Sequence, residues 1–277
     1  MPEGKRPQVV IRGVTKRFPV GDGDIEALAR IDAVIRQREF VCLIGASGCG
    51  KSTMLRIVAG FEEPTTGEVL VDGKRITGPG SDRGMVFQDY ALFPWMTVRK
   101  NVAFGPRQRQ LPRGEVDRIA GEFVKLVGLE RFANRYPSQL SGGMKQRVAI
   151  ARVLANDASI LLMDEPFGAL DALTREQLQR ELLQIWSRSP VTIVFVTHSV
   201  EEAALLADRV LVMSAGPGRI ASDIDIELPR PRDVASPEFN AVRRDLARAL
   251  TSQMMPRDVA PDLPRDVPRD SAPAGAA

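Results

Sequence analysis

Three short runs of apolar residues constrain the fold more than any other feature of the sequence. They cover residues 40–44, 160–163 and 191–196, and the last two are separated by a segment with Leu178 and Leu182 at helical spacing. Strands that are apolar on both faces must be covered on both faces, and strands that alternate with helices form parallel sheets. The runs therefore predict an α/β fold in which a mainly parallel sheet lies between two layers.

Other segments predict what surrounds this sheet. Residues 9–44 begin with alternating apolar and polar side chains and end in the apolar run 40–44, which predicts an antiparallel β lead-in followed by the first buried strand, and Asp72-Gly73 predicts a hairpin turn. Residues 54–61 and 144–156 are predicted to be helical. Ser236 and Pro237 have the residue types that cap and open a last helix.

The change in sequence character predicts the domain boundaries. Residues 1–88 and 156–255 are predicted to form the α/β core, and residues 89–155, with helical spacing at Val116, Ala120 and Phe123, an inserted α-helical subdomain. Residues 256–277 have no periodicity and are rich in Pro, Asp, Arg and Ala. They are predicted to be a disordered tail.

Composition limits the classes of function. The 277 residues include no run of about eighteen apolar side chains, and the N-terminus lacks the apolar segment of a signal peptide, so we expect a cytoplasmic protein. The formal net charge of +3 comes from interspersed charges, which argues against a nucleic-acid surface. Cys42 and Cys49 are too close in sequence for a useful disulfide.

A glycine-rich loop, GASGCGKST, follows the first apolar run and precedes a helical segment. In this setting glycines let backbone N–H groups converge on phosphate oxygens, Lys51 reaches the β- and γ-phosphates, and Ser52 binds Mg²⁺. The thiol of Cys49 is predicted to be reactive, although a packed cysteine fits the sequence equally well. The predicted nucleotide contacts are Gly45, Ala46, Ser47, Gly48, Cys49, Gly50, Lys51, Ser52 and Thr53.

Polar residues at the ends of other strands complete a predicted hydrolytic site. Asp164 and Glu165 follow the apolar run 160–163, with Asp164 expected to hold the metal through water and Glu165 to act as general base. His198, the only histidine, follows the run 191–196 and is predicted to contact the γ-phosphate. Gln88, after a strand near Met85, has an amide suited to the metal or the attacking water.

These motifs, together with LSGGMKQ at residues 140–146 and ALD ending at Asp171, resemble the nucleotide-binding subunit of ABC transporters over residues 9–213. The resemblance implies a RecA-like P-loop NTPase core that binds ATP and Mg²⁺ and hydrolyses ATP. It also implies that Phe18 stacks on adenine, although a strand-end core residue is the alternative. The contacts that it implies to the nucleotide of a second subunit are Ser141, Gly142, Gly143, Gln146 and Asp171.

The resemblance also implies partners. Two cassettes would pair head to tail around ATP, which fits a chain with two separate anion-binding helix starts. A transmembrane permease would hold the chain at the cytoplasmic side of the membrane, and a periplasmic or extracellular solute-binding protein would act indirectly. Phe93, Pro94, Trp95 and Met96 are the predicted permease contact, with the core of the helical insert as the alternative.

Longer stretches, including DEPFGALDALTREQLQ and ELPRPRD, look most like the cassettes of nitrate, sulfonate and taurine importers. The resemblance therefore implies an ATPase that energises the import of a small solute of this kind. The alternative is a soluble ABC-type ATPase acting on nucleic acid. Such proteins resemble this chain in their head-to-tail chemistry but carry long coiled coils or zinc hooks, whereas the insert here is short and has no Cys-x-x-Cys.

Overall fold

The computed structural model describes residues 6–21, 23–87, 89–168, 170–214 and 216–253. Its strands are β1 (Pro7–Val20), β2 (Gly23–Arg36), β3 (Phe40–Gly45), β4 (Thr66–Val71), β5 (Lys74–Arg75), β6 (Arg83–Val86), β7 (Ile160–Asp164), β8 (Thr192–Val196), β9 (Arg209–Ser214) and β10 (Arg219–Asp225). Its α-helices are α1 (Lys51–Ala59), α2 (Val98–Val102), α3 (Phe104–Gln108), α4 (Arg113–Leu126), α5 (Gly142–Ala155), α6 (Ala172–Arg188), α7 (Val200–Leu206) and α8 (Pro237–Thr251).

The larger sheet has the strand order β10-β9-β3-β8-β7-β6. Every neighbouring pair from β9 to β6 is parallel, and only β10 runs antiparallel, at the edge. The three apolar runs of the sequence are the strands β3, β7 and β8, which lie side by side. The predicted α/β fold with a mainly parallel sheet is confirmed.

Alternate residues of β3 face two separate apolar layers. Phe40, Cys42 and Ile44 pack with the layer that contains α4 to α8, whereas Val41 and Leu43 pack with the layer that contains α1 and the smaller sheet. All five side chains are buried, because successive side chains of a strand point to opposite faces and both faces are covered.

The smaller sheet, ordered β2-β1-β4-β5, is antiparallel throughout. The β1–β2 hairpin is the predicted lead-in, and Asp72 and Gly73 form the predicted turn between β4 and β5. This sheet packs against α1 through apolar residues that include Val9, Ile11 and Val69.

Helices α2 to α5 lie between β6 and β7 in the sequence and form the predicted helical insert. Helix α5 begins two residues before the predicted start because the Ser141 hydroxyl accepts the N–H of Met144 and caps the helix there. Helix α1 begins at Lys51, three residues before its predicted start, directly after Gly50 in a left-handed conformation at φ 92°.

The C-terminal part contains elements that the sequence patterns did not predict, α7, β9 and β10. Helix α8 is the predicted last helix: Ser236 caps it, and Phe239 and Leu246 are buried. Within the described residues, none of the helices combines the length and the apolarity needed to cross a lipid bilayer. The predicted tail, 256–277, lies outside the described residues, and the domain boundaries stay a prediction.

Candidate active site

The carboxyl ends of β3, β7 and β8 meet at one edge of the larger sheet, because these parallel strands are neighbours in the order β3-β8-β7. The glycine-rich loop follows β3, Asp164 ends β7 and precedes Glu165, and His198 follows β8. Ligands of open α/β sheets bind outside the carboxyl ends of the strands. The edge therefore brings together residues from three separate sequence motifs.

The glycine-rich loop is compact around the Lys51 side chain. Lys51 is buried, and its Nζ donates to the carbonyl oxygens of Gly45 and Ala46, each at 2.9 Å. A Cβ at Gly45 would lie 2.5 Å from Cys49 Sγ and 2.8 Å from Met213 O, so only glycine fits where the backbone passes so close. The loop thus holds an ammonium group directly at the start of α1.

Two hard oxygen atoms lie side by side at this edge. The Ser52 hydroxyl donates to Asp164 Oδ1 at 2.9 Å. Burial raises the pKa of Asp164, and the hydrogen bond from Ser52 opposes that rise. A hydroxyl and a partly desolvated carboxylate are the oxygen donors that Mg²⁺ prefers, so this pair fits the predicted metal site.

Glu165 and His198 form a pair next to the Asp164 carboxylate. His198 Nδ1 lies 3.3 Å from Glu165 Oε2, and the His198 side chain is 68% exposed. Glu165 has φ 44°, which is uncommon for a residue with a side chain, and its N–H donates to Val196 O at 3.0 Å. Backbone strain of this kind recurs at active sites, where it fixes the direction of a reacting group.

Phe18 lies in β1, in the smaller sheet, and its side chain is only partly buried. The Nζ atom of Lys16 lies 4.8 Å from the centroid of the Phe18 ring. Lys16 itself is held by Glu62 Oε1 at 2.5 Å and by the carbonyl oxygen of Glu63 at 2.8 Å. The alternative reading of Phe18 as a core residue is not supported by this exposure.

A second group of predicted residues lies at the start of α5. A Cβ on Gly142 would be 3.3 Å from Leu170 Cδ2, and one on Gly143 would be 3.2 Å from Leu178, so this helix start packs on the region around α6. Asp171 caps α6 by accepting the N–H of Thr174 at 3.0 Å, and this bond lowers the pKa of Asp171. Ser141 and Asp171 are both exposed.

Two predicted site residues are buried, which does not match their predicted roles, and a third lies outside the described residues. Gln146 is fully buried, and its side-chain oxygen and nitrogen have no hydrogen-bond partner within the part of the chain that the structure describes, so its side chain does not reach the surface beside Ser141. Cys49 is also fully buried and lies 3.8 Å from Lys51 Nζ, which favours the packed cysteine over the reactive one. Gln88 lies outside the described residues.

The predicted permease contact is partly exposed. The Trp95 side chain is 69% exposed, and Pro94 is exposed. Phe93 is partly buried, packing 4.6 Å from the ring of Phe104, and its ring lies 5.7 Å from that of Trp95. The cluster therefore has an inner aromatic pair that supports an exposed outer part, so neither reading from the sequence describes all of it.

Sequence reasoning missed a group of buried polar residues behind His198. Glu202 in α7 accepts the Thr197 hydroxyl at 2.6 Å and the Gln179 amide at 3.4 Å, and Arg175 lies 3.8 Å away. These residues belong to α6, to α7 and to the segment directly after β8. The acidic pair after His198 in HSVEEAA was the available signal, but an acidic residue in the first turn of a helix is ordinarily solvated.

The fold and this edge define a P-loop ATP-binding protein. A family model described as ABC transporter matches residues 28–168, just over half of the chain, and the chain belongs to this family. It is an ABC ATPase, which binds and hydrolyses ATP, as the sequence predicted.

Relatives support the same class. The chain is 52% identical over 245 residues to an ABC transporter ATP-binding protein of Methanocaldococcus jannaschii, covering 88% of this chain and 92% of that protein. It is 50% identical over 223 residues to the nitrate import ATP-binding protein NrtD of Synechocystis, covering 80% and 84%. It is 49% identical over 253 residues to the bicarbonate transport ATP-binding protein CmpC of Synechococcus elongatus, covering 88% of this chain but 38% of that protein.

A solved structure gives the same architecture. An ATP-binding cassette, solved as a dimer in a post-hydrolysis state with ADP and phosphate, superposes with a TM-score of 0.68 at 35% identity, covering 80% of this chain and 100% of that one. The predicted class, an ATPase that energises an ABC importer, is confirmed. The nucleic-acid alternative finds no support among these relatives.

Proposed function

We propose that this chain hydrolyses MgATP between two copies of itself and thereby drives a permease that imports a small solute of the nitrate, bicarbonate, sulfonate or taurine kind. The observation behind the proposal is the convergence of Lys51, Ser52, Asp164, Glu165 and His198 at one sheet edge. These residues supply phosphate binding, metal binding, a base and a polar contact in one place.

Each residue at the edge has a defined role in this proposal. Lys51 gives up its contacts with the loop carbonyl oxygens and binds the β- and γ-phosphates, while Ser52 and Asp164 hold Mg²⁺, which neutralises phosphate charge. Glu165 accepts the proton of the attacking water. His198, already 3.3 Å from Glu165, contacts the γ-phosphate, and the Phe18 ring stacks on adenine.

The second copy supplies the other side of the nucleotide. Ser141, Gly142 and Gly143 start α5, where backbone N–H groups have no partner within the helix and the helix potential is positive, which suits a phosphate. They belong to the helical insert, whereas Lys51 belongs to the sheet edge. In a two-fold pair each copy presents both surfaces, so two ATP molecules hold the copies together until hydrolysis. The dimeric state of the solved cassette supports this arrangement.

The permease contact is the exposed aromatic cluster of the helical insert. Pro94 and Trp95 are exposed, and the ring of Trp95 contacts Phe93, which together with Phe87 and Phe104 lines part of an open groove of about 340 Å³. Apolar and aromatic side chains are enriched in the cores of protein interfaces. A permease element that fills this groove would transmit the movement of the insert to the membrane.

The importer relatives support the solute class. The nitrate and bicarbonate proteins, at 49–50% identity, act on small oxyanions according to their names. The solute itself is selected by the permease and the binding protein, so this chain is expected to contribute energy and not selectivity.

The test is ATPase activity in the complete transporter. The chain is purified with its permease, reconstituted in vesicles, and assayed with nitrate, bicarbonate, taurine and methanesulfonate in the presence of the binding protein. One of these solutes is expected to stimulate hydrolysis several-fold, and Glu165→Gln is expected to abolish it while Glu238→Gln, an exposed glutamate in α8, does not. Full activity of Glu165→Gln, or stimulation by DNA instead of any solute, would refute the proposal.

A further inference from the structure

Glu202 is a buried carboxylate that the roles described above leave unused. Its residue is 6% exposed, and burial raises the pKa of its carboxyl group. Burying a charge costs free energy unless polar partners compensate it, and removing one of these partners strongly destabilises the folded protein. Its partners come from different elements: Thr197 at the end of β8, and Gln179 and Arg175 in α6.

One side of Glu202 is connected to the segment that carries His198. The Thr197 hydroxyl donates to Glu202 Oε2 at 2.6 Å and accepts the N–H of Ser199 at 3.0 Å. The Ser199 hydroxyl in turn accepts the N–H of Glu202 at 3.2 Å. The residues on both sides of His198 are therefore bound to Glu202, directly or through one hydroxyl, while the His198 side chain stays exposed beside Glu165.

The other side of Glu202 faces Arg175, which is connected to the loop before α6. An Arg175 Nη atom donates to the carbonyl oxygen of Leu170 at 2.9 Å, and Leu170 directly precedes Asp171. Arg175 Nε lies 3.8 Å from Glu202 Oε1, too far for a hydrogen bond, and it is buried with no hydrogen-bond partner among the described residues. A buried donor this close to a carboxylate is poised to form a charge-assisted bond after a small shift.

We propose that Arg175 and Glu202 are positioning residues that couple the loop ending at Asp171 to the orientation of His198. The proposal rests on the function above, in which Asp171 lies at the interface between the two copies and His198 contacts the γ-phosphate. When the second copy contacts the Asp171 loop, Leu170 moves Arg175, and its Nε closes on Glu202. Thr197 and Ser199 then fix the backbone of His198 for hydrolysis.

The competing explanation is purely structural: Glu202 would only hold α7 against α6 and β8. The two explanations predict different results. A structural residue changes stability and affects activity in proportion to the folded fraction, whereas a positioning residue changes kcat in a folded protein that still binds ATP. Misplacement of a catalytic group by about 1 Å costs on the order of a hundredfold in rate.

The test compares Glu202→Gln, Arg175→Met and their double variant, with Glu201→Gln as the exposed neighbouring control. The measurements are kcat and KM for ATP in the transporter complex, and the melting temperature. Each single variant is expected to lower kcat about ten- to a hundredfold with KM near that of the wild type, at an assay temperature well below its own melting temperature, which the loss of a buried partner lowers. The double variant is expected to be no slower than the slower single variant, because both substitutions break the same connection between Arg175 and Glu202. Arg175→Lys is expected to restore part of the rate.

Three results would overturn the proposal: wild-type kcat in Glu202→Gln, rate losses that multiply in the double variant, or a fall in melting temperature that accounts for the lost activity. His198→Ala separates this proposal from the proposed function. If His198→Ala has wild-type kcat, the role of His198 in hydrolysis is wrong. If only His198→Ala is slow, that role stands and the coupling through Glu202 is refuted.

Discussion

Asp164→Asn should separate two effects of the Asp164 carboxylate: the destabilisation of the unliganded fold by a buried charge, and the binding of Mg²⁺. Burial raises the pKa of Asp164 above its value in the unfolded chain, so the charged form is disfavoured in the folded protein. This cost is present above the folded pKa, and it disappears as the pH falls below the unfolded value. Asparagine removes the charge and keeps an oxygen that can accept the Ser52 hydroxyl. The unliganded variant is expected to melt at or above the wild-type temperature.

The magnitude of the nucleotide effect follows from linkage. MgATP at a hundred times its Kd stabilises the folded chain by about 2.7 kcal/mol. For a chain of this size about 2–4 °C of melting temperature correspond to each kcal/mol, so the melting temperature of the wild type should rise by about 5–11 °C. ATP with EDTA, which removes Mg²⁺, should give only the part of this rise in melting temperature that contacts with the phosphates and with adenine supply. In Asp164→Asn, MgATP should give no more than ATP with EDTA, because an amide oxygen is a weaker Mg²⁺ ligand than a carboxylate.

The assay is thermal unfolding at pH 7 without nucleotide, with ATP and EDTA, and with MgATP. Asp157→Asn is the matched control, since the Asp157 side chain is 82% exposed and lies away from this edge. A full MgATP gain in Asp164→Asn would show that the carboxylate does not hold the metal. A large fall in melting temperature without nucleotide would show that the charge stabilises the fold, contrary to the reasoning from burial.

Three further predictions concern other parts of the molecule. Trp95→Asp should abolish coupled transport and change unfolding free energy by less than about 0.5 kcal/mol, because the side chain is exposed; lost ATP binding or unfolding would show a structural role. Arg232→Met should lower the free energy of unfolding in urea by about 2–4 kcal/mol, since Arg232 is buried and donates to the carbonyl oxygens of Ala204 and Ala207 at the C-terminal end of α7. Exposed Arg243→Met should not, and equal unfolding free energies would refute this. Maleimide should label Cys42 and Cys49 only in denaturant, and nucleotide-protected labelling of native protein would contradict their burial.

The residues at the sheet edge were predictable because their signals are local. An all-apolar strand followed by a glycine-rich loop allows few structures, and the strand ends of a parallel sheet share one edge. Ser52, Asp164, Glu165 and His198 could therefore be assigned to one place before any coordinate was known. The start of α5 was less certain, because Ser141 signals a cap but the two glycines after it are poor helix formers.

The remaining features depend on tertiary contacts that leave no local pattern. Strands β9 and β10 are the exception, because their sequences do carry a pattern: β9 contains an apolar run that is buried on both faces, and β10 alternates at the edge. The burial of Gln146 and Glu202 is decided by neighbouring helices, and their polarity points to the surface when the sequence is read alone. The hydrogen bonds from Thr197 to Glu202 and from Arg175 to Leu170 likewise join residues that no motif connects.

The central claim is that each ATP is held by two copies of the chain, and mixing two inactive variants tests it most directly. Lys51→Ala removes the phosphate-binding lysine, and Ser141→Arg blocks the opposing surface, so each homodimer lacks intact sites. A mixed dimer contains one intact site, built from Lys51 of one copy and Ser141 of the other. An equal mixture with random pairing should recover about a quarter of the wild-type sites, and therefore of the ATPase activity. If the mixture stays as inactive as the separate variants while both still bind the permease, the shared site does not exist.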